Sequence, residues 1–343
     1  MSVAQAQVRA DLAPGNARLR ARRTALLGPD RVARLTGRDL EGLVGELRGT
    51  AYGRHLDTAS ADRRASLLAA ITAVRRELLR AVLAVHRGPA AHVVGPLMAP
   101  YDVADVLTLV RGAAHDLPDE QVLDAIDAVG AVEPAVARHV VADDPEVVVP
   151  RLVAAHLPDP VTARVLPAAW ERYLRHGDLA ELELTLGRAA VRAQALRLAP
   201  FGKRALTVRS YLAAGQDIAN VVTAMRLRAS RADDTAITAA LLPVGAIDER
   251  TLLALASGAL NVGAIPPALR ARLGRMSGMD DLPGLAQDLQ AVRLAAGAAR
   301  YRAGDPLGDD VPVGFVAGVE AEALALRRLV LSASSAADEG QAA

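Results

Sequence analysis

A stretch of this chain recurs further along it, and this repeat limits how the chain can fold. Aligned without a gap, residues 102–142 match residues 217–257, so that Asp102 falls on Asp217, 115 positions later. Three units of this length would fill most of the 343 residues. Repeated units usually stack and share contacts, so the pattern is more typical of a shaped body that assembles with other molecules than of an enzyme.

Helical patterns dominate the sequence. Residues 63–85, 179–198 and 288–301 place apolar side chains at three- and four-residue spacing and charged ones opposite, as amphipathic helices do. Residues 146–149 are the best candidate for a strand, which would be short and isolated. Aromatic residues make up only 2% of the chain, so the core must consist of small aliphatic side chains. The sequence therefore predicts an all-α fold with short loops.

Each copy of the repeat predicts the same local structure. An Asp after a Pro or Gly is predicted to start the first helix and to cap its N–H groups. A second helix is predicted to end near a glycine in the left-handed conformation, and the acidic residue after it is predicted to open the next helix. These positions are Asp102, Gly130 and Glu133 in one copy and Asp217, Gly245 and Asp248 in the other.

A polar stripe follows the first helix of each copy, with its members three residues apart. The stripe either contacts a partner protein or has a solvated or capping role within the repeat, and its recurrence favours the structural role. Its members are Asp105, Thr108 and Arg111 in the first copy and Asn220, Thr223 and Arg226 in the second.

A third unit is predicted to be divided between the two ends of the chain. Glu322 lies in a helical pattern near the C-terminus, and Asn16 and Arg22 keep the six-residue spacing of Asn220 and Arg226. The chain ends are therefore expected to meet. The predicted units are 1–99 with 310–343, 100–214 and 215–309.

Arginines cluster near the N-terminus, and two tyrosines stand out among few aromatic residues. Arg18, Arg20 and Arg22, with Arg23 beside them, either form a solvated helix face or bind an acidic partner. The net charge of +1 argues against nucleic acid, because binding to phosphates needs a surplus of bases. Tyr52 and Tyr101 are expected to pack at domain seams with bonded hydroxyls; the alternative is a role in partner binding.

No pattern in the chain points to chemistry. Its seven histidines are scattered and it has no cysteine, and no HExxH or other metal-ligand spacing is present. A Gly-rich phosphate loop and a G-x-S-x-G pattern are also missing. We therefore expect no catalytic residue, cofactor or metal.

No apolar run approaches the ~18 residues of a membrane span, so membrane association is expected only through a partner.

Four segments resemble the C subunit of archaeal/vacuolar-type (V/A-type) rotary ATPases, whose eukaryotic counterpart is subunit d. Two departures stand out, since Asp105 and Ala325 occupy positions where that family usually has Asn. In order, the segments are residues 15–22 with 47–53, 101–106, 217–226, and 312–315 through Glu320, Glu322 and Arg327.

The resemblance implies three similar helical domains around a pseudo-threefold axis that form a funnel. One copy per complex would join the central shaft (D and F type subunits) to the membrane proteolipid ring, on the cytoplasmic face, without doing chemistry. Ion transport would thereby be coupled to ATP synthesis or hydrolysis. The alternative is a helical-repeat scaffold or adaptor unrelated to ATPases, with distant chain ends; an all-α enzyme would need converging carboxylates or a histidine cluster.

Overall fold

A computed structural model of the chain describes residues 3–57, 59–141, 145–243, 245–258 and 282–333. All regular secondary structure in these ranges is helical, which confirms the all-α prediction. The helices are α1 Val3–Arg22, α2 Pro29–Ala33, α3 Leu40–Arg48, α4 Arg63–Val85, α5 Pro89–Val94, α6 Ala99–Ala114, α7 Asp119–Ala125, α8 Pro134–Val140, α9 Val148–Ala154, α10 Pro160–His176, α11 Leu179–Leu198, α12 Leu206–Ala229, α13 Asp234–Ala239, α14 Glu249–Ala256, α15 Leu282–Ala303 and α16 Asp310–Ser332. Single 3-10 segments lie at Arg23–Ala25, Gly53–His55, Gly95–Leu97, Pro145–Val147 and Ala199–Ala205.

The chain divides into two compact units. Unit 1 comprises Met1–Ala90 with Gly297–Ala343, and unit 2 comprises Ala91–Ala296. Both ends of the chain therefore belong to the same unit. The finer division into three repeat units stays a prediction, and part of the predicted unit 215–309 lies outside the described residues.

In unit 1, the C-terminal helix α16 packs against α4 and α1. The apolar residues of α4 lie on one face, and Leu67, Ile71 and Leu79 are fully buried, which confirms the helix predicted over residues 63–85. Asp62 precedes α4 and its carboxylate accepts a hydrogen bond from the N–H of Ala65 at 2.8 Å, so a side chain satisfies one of the free donors at the helix start.

In unit 2, a helical hairpin of α10 and α11 contributes to the larger core. Gly177 ends α10 in the left-handed conformation, with φ of 70°, and Asp178 caps α11 through the N–H of Glu181 at 2.9 Å. The core is aliphatic, as the low aromatic content predicts. Among its buried members are Val106, Leu109, Val110, Val132, Val140, Leu152, Leu166, Leu182 and Leu186.

A second core of unit 2 gathers apolar residues of α12, α14 and α15. It includes Val221, Leu252 and Leu289, all nearly inaccessible to solvent. The helical pattern predicted over residues 288–301 lies inside α15, which begins earlier, at Leu282.

The strand prediction for residues 146–149 is wrong. Pro145–Val147 forms a 3-10 turn that continues into α9, where Val148 and Val149 are buried in the larger core of unit 2. A short apolar run has the same pattern in a buried strand and in a buried helix, and the described part of the chain contains no strand with which this one could pair.

Among the described residues, no single helix is both long and apolar enough to cross a membrane. Pro89–Leu97 and Ala99–Ala114 reach that length and composition only when taken together, across a bend of 55°.

Candidate functional site

Each repeated aspartate accepts a hydrogen bond from a loop 30 residues further along the chain. Asp102 is 7% exposed on α6, and its Oδ1 accepts a hydrogen bond from the N–H of Val132 at 3.1 Å. Between them, a Cβ added to Gly130 would stand 2.3 Å from Asp102 Oδ1. No side chain fits in that distance, so glycine is needed for the carboxylate to reach the loop.

The second copy repeats this contact at the equivalent positions. Asp217 is fully buried on α12, and its Oδ1 accepts a hydrogen bond from the N–H of Ile247 at 3.0 Å. A Cβ added to Gly245 would lie 2.2 Å from the same oxygen. The two copies thus share one device, an acid–glycine contact, which is made by Asp102 with Gly130 and by Asp217 with Gly245.

This contact corrects two predictions. Neither Gly130 nor Gly245 has a positive φ, so close approach of a carboxylate, and not a left-handed helix end, explains the glycines. The aspartates do not cap their own helices either, although Asp102 does lie in the first turn of α6, as predicted. Asp217 lies in the middle of α12, because α12 continues through Gly215 without a break.

The acidic residues after the glycines do open helices, as predicted. Glu133 is the N-cap residue of α8 and Asp248 that of α14. Asp248 accepts a hydrogen bond from the N–H of Thr251 at 2.7 Å, whereas Glu133 makes no such side-chain bond.

Burial changes the acidity of the repeated aspartates. It raises the pKa of Asp102 to about 6, against the opposing effect of the N–H groups of Val132 and Ala131, and the nearby Asp105 charge raises it further. Burial also raises the pKa of Asp217, whose Oδ2 has no hydrogen-bond partner among the described residues. Both carboxyl groups are therefore protonated to a greater extent at neutral pH than an exposed aspartate would be.

The first member of each polar stripe is buried and bonded to backbone. Asp105 is 2% exposed and accepts hydrogen bonds from the N–H groups of Asp127 at 2.7 Å and Ala128 at 2.8 Å. Asn220 is 3% exposed; it accepts from the N–H of Leu242 at 2.7 Å and donates to the Leu242 carbonyl at 3.0 Å.

A proline accounts for the difference between Asp105 and Asn220. In the gapless alignment Ala128 falls on Pro243, and proline has no N–H to donate. Asp105 meets two donors and uses two carboxylate oxygens, whereas Asn220 meets one donor and one carbonyl, which suit an amide. Asp105, which stands where the resembled family usually has Asn, thus matches the two N–H donors of its own loop.

The other stripe residues lie progressively nearer the surface. Thr108 is half-buried and donates to the Ala104 carbonyl at 2.9 Å, and Thr223 is half-buried as well. Arg111 forms an ion pair with Glu183 at 2.5 Å, and the hydrogen bond to Glu183 raises the pKa of Arg111. Arg226 is exposed. The stripe therefore begins with a structural contact, and a partner-contact role for its outer residues stays a prediction.

In unit 1, Glu322 has a role similar to that of Asp105. It is 6% exposed and accepts from two consecutive N–H groups, those of Leu27 at 3.1 Å and Gly28 at 2.8 Å. It also accepts from the Tyr52 hydroxyl at 2.7 Å. Burial, with the charge and hydrogen bond of Glu322, raises the pKa of Tyr52 above its ordinary range. Glu322 thereby joins the C-terminal helix to two N-terminal segments.

Asn16 makes a second link between the chain ends. Its Nδ2 donates to the carbonyls of Pro306 at 3.1 Å and Gly308 at 3.0 Å, in the turn before α16. Its Oδ1 lies 3.4 Å from Nε2 of the buried His86, whose pKa is lowered by burial. Contacts of this kind between distant segments leave no mark in the local sequence pattern, so sequence analysis missed His86.

The N-terminal arginines lie at the end of α1. Arg18, Arg20 and Arg22 are exposed. The guanidinium carbon of Arg23 lies 4.7 Å from the centroid of the Tyr301 ring and that of Arg20 lies 5.9 Å from it. Sequence analysis did not single out Tyr301, which is far from the arginines along the chain.

No group of three or more His, Asp or Glu side chains within the described ranges is arranged to hold a metal ion. The buried acids instead bind backbone N–H groups inside the protein; these are Asp102, Asp105, Asp217 and Glu322.

Comparison with known proteins identifies the family. A family model described as "ATP synthase (C/AC39) subunit" matches residues 15–281, which is more than half of the chain and includes both copies of the repeat. A search of curated proteins gives no significant match. Because of the extent of the family match, we conclude that the chain belongs to the ATP synthase (C/AC39) subunit family, whose members are subunits of V/A-type rotary ATPases.

Proposed function

We propose that this chain is a non-catalytic coupling subunit in the central rotor of a V/A-type rotary ATPase or ATP synthase. It would join the central shaft, formed by D and F type subunits, to the membrane proteolipid ring on the cytoplasmic face, with one copy in each complex. Three helical repeat units closing into a funnel would provide the socket for the shaft. Family membership supports this proposal and argues against a scaffold unrelated to ATPases.

The observation that carries the proposal is the repeated use of buried polar groups as internal ties. Asp102, Asp105, Asp217, Asn220 and Glu322 are all buried and all hydrogen-bonded to backbone of a distant segment. Such bonds oppose sliding of helices past loops, because an unpaired buried polar group costs about 1–3 kcal/mol. A body tied in this way suits a part that transmits torque without chemistry.

Deletion of the chain tests the proposal. We expect the soluble ATPase head to go on hydrolysing ATP, while ATP-driven ion uptake into membrane vesicles is lost and returns on addition of the purified chain. Uptake that continues unimpaired in the deletion would contradict the proposal, as would ATP turnover by the chain alone. An electron microscopy map of the complex would test the positions of shaft and ring, whose contacts should bury on the order of 1,600 Å² or more.

A further inference from the structure

His86 differs from the other histidines of the chain because it is buried. It is the C-cap residue of α4 and is 3% exposed, whereas the other six histidines are exposed. A Cβ added to Gly15 would stand 2.4 Å from both Cδ2 and Nε2 of the ring, so the backbone of α1 lies directly against the imidazole. Because the ring is enclosed, its two nitrogens need partners within the protein.

The end of α4 fixes one ring nitrogen as a donor. Nδ1 of His86 lies 2.8 Å from the Val82 carbonyl. In a continuing helix the N–H of His86 would bond to that carbonyl, but it bonds to the Leu83 carbonyl instead. Because a carbonyl can only accept, Nδ1 carries a hydrogen and donates it to Val82. In a neutral imidazole, Nε2 is then an acceptor.

The other ring nitrogen faces a second acceptor. Nε2 lies 3.4 Å from Oδ1 of Asn16, whose Nδ2 donates to the carbonyls of Pro306 and Gly308. Turning the amide over would set its oxygen against those two carbonyls, so Oδ1 stays beside Nε2. Neutral His86 thus has two acceptors side by side, and only a protonated ring can donate through both nitrogens.

A proton on His86 would nevertheless place a charge inside unit 1 without a counter-ion. The groups against the ring are the uncharged Gly15, Asn16 and Val82. The charged residues of the segments around it include Arg18 on α1, Arg87 after α4, and Asp305, Asp309 and Asp310 in the turn before α16.

These charged residues are either exposed or engaged elsewhere. Arg18 and Arg87 are exposed, Asp310 pairs with Arg300 at 3.3 Å, and Asp305 and Asp309 have interactions of their own. Burial lowers the pKa of His86 from its ordinary value of 6.5, and the hydrogen bond to Val82 opposes this effect only in part. Burial of a charge without a counter-ion is the physical cause.

We propose that His86 is a pH-sensitive release for the contact between the two chain ends. While α1, the end of α4 and the turn before α16 stay together, the enclosed ring is neutral and resists a proton. When they separate, water reaches the ring and it binds a proton freely. Acid therefore favours the open form. The device lies wholly within unit 1, so it does not depend on any partner of the chain.

The sign and size of the effect follow from proton binding. A group whose pKa is lower in the closed form gives stability that is complete above pH 6.5 and is lost as the pH falls through the closed-form value. One pH unit below 6.5, the open form is therefore favoured by up to about tenfold more than at neutral pH.

Hydrogen exchange of the full chain measures this opening. Wild type, His86→Asn and the control His92→Asn are compared at pH 7.5 and 5.5, one unit on either side of 6.5, with correction for the intrinsic exchange rate at each pH. Asparagine does not titrate, and its amide can replace Nδ1–H as a donor. His92 is exposed in unit 2. Peptides from the end of α1, the end of α4 and the turn before α16 report the contact, and circular dichroism verifies folding.

As the pH falls, we expect these peptides to lose about three- to tenfold more protection in wild type and His92→Asn than in His86→Asn. Asp102 is present in all three chains, so its own titration cancels from the comparison. A difference between wild type and His86→Asn of less than about threefold overturns the inference. A control that behaves like His86→Asn overturns it as well.

The ring of the native histidine can also be observed directly, which keeps the inference testable if His86→Asn fails to fold. Long-range 1H–15N spectra of a chain labelled with 15N-histidine distinguish the two tautomers. His86 is observed alone when Asn replaces each of the exposed residues His55, His92, His115, His139, His156 and His176. We expect the Nδ1–H form at pH 7.5 and a protonation midpoint below 6.5. An Nε2–H form, or a midpoint at or above 6.5, overturns the inference.

Discussion

At the scale of single residues, the repeat preserves a contact and adjusts the groups that make it. In the Asp102–Gly130 and Asp217–Gly245 pairs, a carboxylate oxygen approaches the glycine closely and accepts a backbone hydrogen bond. The next polar position changes from Asp105 to Asn220 because Pro243 removes one backbone donor. Similar residues therefore recur where the partner is constant, and they differ where the partner differs.

The acid–glycine contact leads to a prediction for Gly245→Ala. The added methyl group would overlap Asp217 Oδ1 at 2.2 Å, so the carboxylate must move and weaken its bond to Ile247. We expect a loss of about 2 kcal/mol in the free energy of unfolding, measured by urea denaturation. Gly45→Ala is the control, since nothing lies within 4 Å of its added Cβ in α3; it should be neutral or stabilising. Equal effects of the two substitutions would contradict this explanation.

Asp102 predicts a pH dependence of stability. Its folded pKa, about 6, is above the ordinary value of 3.8, so the folded state binds the proton more tightly than the unfolded state does. The resulting stability is fully present below pH 3.8 and is lost as the pH rises through about 6. Asp102→Asn removes this contribution. At about 1.4 kcal/mol per pKa unit, the free energy of unfolding of the variant relative to that of wild type should rise by up to about 3 kcal/mol from acid to neutral pH.

Urea unfolding of wild type and Asp102→Asn at a series of pH values measures this difference, in which the contributions of groups that do not interact with Asp102 cancel. A constant difference across the series would show that the buried carboxyl does not titrate as described.

At the scale of elements, α4 and α16 are joined by a buried ion pair. Arg75 Nε lies 2.9 Å from Glu320 Oε1, and the side chains are 7% and 16% exposed. Both carry further interactions. Because removing one partner leaves a buried charge behind, we expect Glu320→Gln to cost about 3 kcal/mol of unfolding free energy.

Two comparisons test this effect. Replacing both partners, Arg75→Met with Glu320→Met, should recover much of the loss. Glu46→Gln should change stability by no more than about 0.5 kcal/mol, since its pair with Arg38 is exposed at 56% and 44%. A double variant as unstable as Glu320→Gln would argue that packing, and not the unpaired charge, causes the loss.

Helix prediction succeeded where the apolar periodicity continues over many residues and a capping residue marks the helix start. The bounds of α4 and α11 agree with the predicted 63–85 and 179–198, and both begin at an Asp that caps the helix. It failed at Gly215, which was taken as a break, because a glycine inside a helix costs only about 1 kcal/mol and tertiary packing overrides that cost.

At the scale of the whole molecule, the two chain ends share unit 1. The C-terminal helix α16 packs on α4 and α1, and Glu322 bonds to Leu27, Gly28 and Tyr52. Unit 1 therefore lacks a major part of its interior until the last helix is present.

A chain ending at residue 309 should separate the behaviour of the units. We expect the amides of α4 to exchange rapidly with deuterium in this truncated chain, because α4 has lost the helix that covers it, while those of α10 and α11 in unit 2 keep most of their protection. Hydrogen exchange with mass spectrometry, against the full chain, measures both. Equal protection of α4 in the two chains would contradict this role for α16.

The sequence by itself determined the helical class, the repeat, the long amphipathic helices and the family resemblance, because periodicity, helix caps and residue order are properties of neighbouring positions. Only the tertiary structure decided why Gly130 and Gly245 are glycines, why Asp105 and Asn220 differ, and that Tyr301 lies under the arginines of α1. Each of these depends on two segments distant along the chain, and their contact exists only when packing brings them within hydrogen-bond or van der Waals distance.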